Sequence, residues 1–138
     1  MENNFSVVNI TKGKLPSLPF VMFKNDILGK KYSFSLAFIG EKKMREINKT
    51  YRNKDKSTNI LSFFLSKTEG EMLICPAVIK RETKKPARLN SRSGGFNKNF
   101  RELLGFLVIH GMLHLKGLEH GKKMEKLENF YCKKFKIN

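Results

Sequence analysis

The chain carries 138 residues, with 28 Lys+Arg against 12 Asp+Glu and a formal net charge of +16. A hydrophobic content of 40% with 12 Phe supplies a real core and excludes a wholly disordered basic tail, and the length is that of one domain of about 100–150 residues. Cys75 and Cys132 stand too far apart for a zinc ribbon or a CxxC redox pair, the first ten residues lack the basic start of a signal peptide, and no apolar run approaches the roughly 18 residues that span a bilayer. The expectation is a cytoplasmic protein with no membrane association, in a reducing compartment.

In chain order, Phe5, Val7, Val8 and Ile10 predict a first strand, and Pro16 and Pro19 precede a short helix from Phe20 to Leu28 that Gly29 stops. Tyr32 to Phe38 alternates with period two and predicts a second strand. Glu41 to Tyr51 switches to helical spacing through Met44, Ile47, Asn48 and Tyr51, and a polar loop from Arg52 to Asn59 follows. Ile60 to Leu65 and Met72 to Ile74 predict two strands that pair across a turn at Glu69 and Gly70. Pro76 starts a short helix over Ala77 to Glu82. Residues 84–98, rich in Gly, Ser and basic side chains, predict a mobile basic loop rather than a domain boundary.

Phe100 to Leu115 is nearly all apolar at helical spacing, with Asn97 or Asn99 as N-cap and Gly117 as the stop, which predicts a central buried helix. Lys122 to Phe135 predicts a final amphipathic helix, with Met124, Leu127, Tyr131 and Phe135 on one face. The expected fold is α/β (α+β): one domain over residues 1–138, with a mixed sheet of about four strands packed against about five helices.

All three histidines, His110, His114 and His120, fall within HGMLHLKGLEH. His110 and His114 are one helical turn apart on one face, the placement two metal ligands need, and Gly117 lets the chain leave the helix so that His120 folds back as a third. Three neutral imidazoles leave a bound zinc with its full charge and an open fourth position, the plan of a catalytic site. Imidazole also suits nickel, copper and iron. The bland alternative is three ordinary polar groups near a helix end. The same H-x3-H-x5-H spacing resembles that of metzincin-type zinc endopeptidases, whose first His is followed by a Glu base, but position 111 is Gly, which argues against peptide hydrolysis. Glu119, the one carboxylate inside the motif, is open to three roles: partner to a ligand imidazole, base, or surface residue.

HGMLHLKGLEH also resembles the HGxLHLxGYDH signature of the YbeY family of bacterial metal-dependent endoribonucleases, and NKTYRNKDKSTNILSF, from Asn48 to Phe63, resembles that family's YRxKDxxTDVLSF stretch. The resemblance implies one zinc ion held by His110, His114 and His120, with Arg52 beside it, and catalysis carried by Arg52 and His114. It implies a single-strand-directed endoribonuclease acting on ribosomal RNA, especially the 3′ end of the small-subunit RNA, and taking part in ribosome quality control. Asn59 stands where the family usually has Asp, Glu71-Met72 follows Gly70 where Asp-Ile is usual, and Leu118-Glu119 replaces Tyr-Asp.

The chemistry agrees in type: zinc polarises a phosphoryl oxygen and acidifies water, and Arg52 clamps a phosphate in a bidentate fork. Water and the RNA 2′-hydroxyl both remain open as nucleophile. Ser62 and Thr58 read as plain strand and turn residues. The pI near 10.0 fits a polyanionic partner, here ribosomal RNA and the ribosome, although 22 Lys against 6 Arg is also what a biased genome produces. The other readings are a non-catalytic ribosome assembly factor and a metal-dependent hydrolase of another substrate, including peptide. The residues do not fix the oligomeric state.

Overall fold

The computed structural model describes residues 4–83 and 99–137. Four strands, β1 (Phe5–Asn9), β2 (Ser33–Phe38), β3 (Ile60–Ser66) and β4 (Glu69–Ile74), make one sheet in the order β1-β2-β4-β3. β1, β2 and β4 are parallel, and β3 returns antiparallel along β4, so the sheet is mixed as expected. Among the described residues five helices accompany it: α1 (Phe20–Ile27), α2 (Glu41–Arg52), α3 (Pro76–Thr83), α4 (Phe100–Leu115) and α5 (Lys122–Lys134). The predicted mobile loop at 84–98 and Asn97, the other candidate cap, lie outside the described residues.

Alternation sorts the strand residues onto two faces. Phe34, Leu36 and Phe38 of β2, in register with Gly70, Met72 and Ile74 of β4, point into the main core with Phe23 and Ile27 of α1. The opposite face carries Ala37 and Leu73, which join a smaller cluster of Ile39, Met44, Leu61 and Cys75 beneath α2. α4 is apolar nearly all round because α1, α3, α5 and β3 all contact it, the situation in which a helix needs no polar face.

Local chemistry fixes both ends of α4. Asn99 accepts from the Glu102 backbone N–H at 2.8 Å, while the Glu102 carboxylate accepts from the Asn99 N–H at 3.1 Å, a reciprocal capping box. At the other end Gly117, at φ 105°, donates to the His114 carbonyl, and Leu118 donates to the Leu113 carbonyl at 3.0 Å. This is the Schellman arrangement, which reverses the chain within two residues.

One expectation is corrected. The turn between β3 and β4 falls at Lys67 and Thr68, and Glu69 and Gly70 belong to β4. Gly70 is a buried residue of β4 paired with Phe34 and Phe64, and the Tyr32 hydroxyl and the Leu115 side chain fill the place a Cβ would occupy. A glycine within a strand marks such a close approach as readily as it marks a turn. Gly70→Val therefore destabilises the fold by about 1–3 kcal/mol through overpacking, measured by urea unfolding.

Candidate metal centre and its cleft

The last two turns of α4 bring His110 and His114 together, and the turn after Gly117 returns His120 against them. The imidazole centroids lie 4.6 Å apart for His110 and His114, 4.7 Å for His114 and His120, and 5.1 Å for His110 and His120. One nitrogen from each ring falls within 4.8 Å of the others, so the residues could hold a metal ion as a group. His110 and His114 are half-buried and His120 is exposed.

The hydrogen bonds on the far side of each ring decide which atoms face inward. His114 Nδ1 lies 3.0 Å from the Leu118 carbonyl, which only accepts, so Nδ1 carries the proton and Nε2 of the neutral ring is a lone pair. His110 Nδ1 lies 2.6 Å from Glu128 Oε2, and an ionised carboxylate there selects the same tautomer. The two Nε2 atoms are then lone pairs aimed at each other across 3.1 Å. Such an arrangement repels unless something positive joins the pair. Two nitrogens bound tetrahedrally to zinc at about 2.0–2.1 Å stand about 3.3 Å apart, so the spacing fits the donor set. Burial, reinforced by the neighbouring His110 and His120, holds the His114 imidazole below its ordinary pKa, which keeps it neutral and able to ligate.

Glu128, which the sequence reading did not single out, sits on α5 with its side chain only 9% exposed. The signal was present: Met124, Glu128 and Cys132 are buried at four-residue intervals, which places a carboxylate on the apolar stripe, where a buried charge requires a partner. Of the three roles open to Glu119, the surface role matches its exposure, and Glu128 is the carboxylate that contacts the His110 imidazole.

Beside the histidines opens a cleft of about 660 Å³ lined by Tyr51 and Arg52 from α2, Ser62 and Phe63 from β3, and His110 and His114. Arg52 thus shares a cavity with two of the three histidines. Ser62, set aside in the sequence as a strand residue, also lines this cavity. Gly111 is what lets α4 lie so close to β3: a Cβ there would crowd the Met72 methyl and come within 2.9 Å of Ser62 Oγ. The position at which a metzincin carries its base is therefore turned toward the sheet.

Of the departures from the family motif, Leu118 meets the histidine cluster, through its backbone carbonyl. Asn59 donates from Nδ2 to Glu82 Oε1 at 3.0 Å, an arrangement an aspartate would turn into two facing carboxylates. Leu118 contributes its carbonyl, which any residue supplies, and Glu71 is exposed on β4.

The family model described as Endoribonuclease YbeY matches residues 18–136. Among curated relatives, the Endoribonuclease YbeY of Staphylococcus carnosus (strain TM300) is 32% identical over 108 residues, covering 70% of this chain and 64% of that protein. That of Staphylococcus aureus (strain Newman) is 31% identical over 110 residues, with the same coverage of each. The match thus spans less than two thirds of the length of these relatives. The solution structure of TM1509 from Thermotoga maritima is similar in fold, with a TM-score of 0.63 and 22% identity over 95% of this chain and 88% of that one.

Glu128→Gln keeps a hydrogen-bonding group beside His110 but removes the charge that selects its tautomer. The substitution weakens zinc binding about 10- to 100-fold, measured by competition with a chromogenic chelator. An unchanged affinity would show that the Glu128 contact does not orient the ring.

Proposed function

Because the chain belongs to the endoribonuclease YbeY family, we propose that it is a zinc-dependent endoribonuclease that cuts single-stranded ribosomal RNA, maturing the 3′ end of the small-subunit RNA and serving ribosome quality control. The observation that carries this reading is the convergence of three imidazoles, two of which line a cleft that also holds Arg52. His110, His114 and His120 are the ligands of one zinc ion, and Arg52 and His114 carry catalysis. When bound, the ion supplies Lewis-acid polarisation of the scissile phosphate and acidifies the attacking hydroxyl.

The protein's own residues do the rest. Glu128 and the Leu118 carbonyl hold the two α4 imidazoles in the tautomer that presents Nε2 to the cleft. Arg52 is exposed, and among the described residues no hydrogen bond or ion pair occupies its guanidinium, which leaves the fork available for two phosphate oxygens. A cation held there stabilises charge as it develops on the phosphate. The +16 net charge supplies long-range attraction to RNA, with the salt dependence that counterion release imposes.

The reading places the protein in the cytoplasm with the ribosome. Cys75 and Cys132 are buried and joined by no disulfide, which fits a reducing compartment. Among the described residues no helix is long and apolar enough to cross a membrane.

The test is metal content by plasma mass spectrometry together with cleavage of single-stranded RNA from the small-subunit 3′ region, on the same samples. Wild type carries one zinc per chain and cuts, and His114→Ala loses both. Arg52→Ala keeps its zinc, and its turnover falls about 10²- to 10³-fold, the cost of removing one preorganised donor from developing charge. Zinc without cutting would favour a non-catalytic assembly factor, and a metal-free wild type would return the histidines to ordinary polar groups.

A further inference from the structure

We propose that Tyr51 and Phe63 form a stacking subsite that takes one unpaired RNA base next to the phosphate held by Arg52. The inference rests on the nuclease reading and adds to it the residues that recognise the nucleotide. Tyr51 is 69% exposed, an uncommon position for a large aromatic ring, yet it is not loose. Its ring meets that of Phe63 edge to face, with centroids 5.6 Å apart and planes at 75°, so a helix and a strand together hold the pair upright. Both rings line the cleft that reaches His110 and His114.

The end of α2 is fixed from beneath. Asn53 adopts the left-handed conformation at φ 56° and closes the helix through its N–H, and the buried Asn48 donates from Nδ2 to the Lys56 carbonyl at 2.8 Å. The Tyr51–Arg52 pair is therefore presented by a pinned helix terminus rather than by a free loop.

One cleft thus gathers two aromatic rings, a guanidinium and the imidazoles of His110 and His114. A nucleic acid strand presents the complementary series of base and phosphate. Any of the four bases has a face to stack, so this subsite confers affinity with little sequence preference. A base inside a duplex has both faces covered by its neighbours and cannot enter without unstacking. The exposed Lys49, Lys54 and Lys56 beside the pair add charge for the flanking phosphates.

The experiment is a cycle between protein and substrate on the zinc-loaded enzyme. Wild type, Tyr51→Ala and Tyr51→Phe are assayed on a single-stranded RNA and on a series in which one abasic nucleotide is stepped across the cut site. Tyr51→Ala raises KM about tenfold with kcat little changed, while Tyr51→Phe, which keeps the ring, behaves as wild type. At one abasic position the wild type shows the same rise in KM, and Tyr51→Ala adds no further loss there. Zinc content and thermal midpoint of the variants guard against a folding effect. If Tyr51→Ala leaves KM unchanged, or adds the same loss on every abasic substrate as on intact RNA, the stacking subsite is overturned while the nuclease reading stands. If the wild type itself does not cut, the nuclease reading fails and the subsite with it.

Discussion

Each imidazole on α4 has one nitrogen engaged on the side away from the cleft, and the chemistry of the site follows from that constraint. A carbonyl behind His114 and a carboxylate behind His110 leave Nε2 of each ring as the inward atom. Neither partner comes from α4 itself. The carbonyl arrives because the chain reverses at Gly117 and presents Leu118 one residue later. The carboxylate arrives because α5 docks through Met124 and Cys132, which carries Glu128 into the interior between them. A buried carboxylate is costly without a partner, and the ring it holds supplies one. The rotamers of the site are thus fixed by elements whose positions are set by core packing, which is what preorganises a functional cluster.

What could be read in the sequence was local. The helices follow from 3.6-residue periodicity, and the capping Asn99, the i, i+4 histidines and the stop at Gly117 all act within a few residues of one another. The strand order β1-β2-β4-β3 and the role of Gly70 depend on distant partners, here Tyr32 and Leu115, and a glycine near a strand end reads as a turn when those partners are unknown. The same holds for the site. The three histidines were legible as a cluster because they share one short segment. Glu128 was not singled out because its role depends on how α5 lies across α4, and the cleft was hidden because Tyr51, Ser62 and His110 come from three separate elements.

The comparison with zinc peptidases becomes physical rather than textual at Gly111. Two proteins can share the spacing of three histidines and differ in what the helix residue between them faces. Here that residue meets Met72 and Ser62, so the space a glutamate would need is taken by the sheet. The tight approach that removes room for a base on the helix also draws β3 against the histidines, and with it the wall of the cleft. The room denied to a peptidase's base and the wall of the cleft have one structural origin.

The contact between Glu128 and His110 joins the final helix to the centre of the protein. An ion that binds the assembled histidines but not the unfolded chain stabilises the native state in proportion to the logarithm of its concentration. Because Glu128 must be in place to orient His110, α5 has to remain docked for the ion to be held well, and undocking and release become linked events. An ion seated on the three histidines would therefore hold α5 in place as well, although only His110 touches that helix through Glu128.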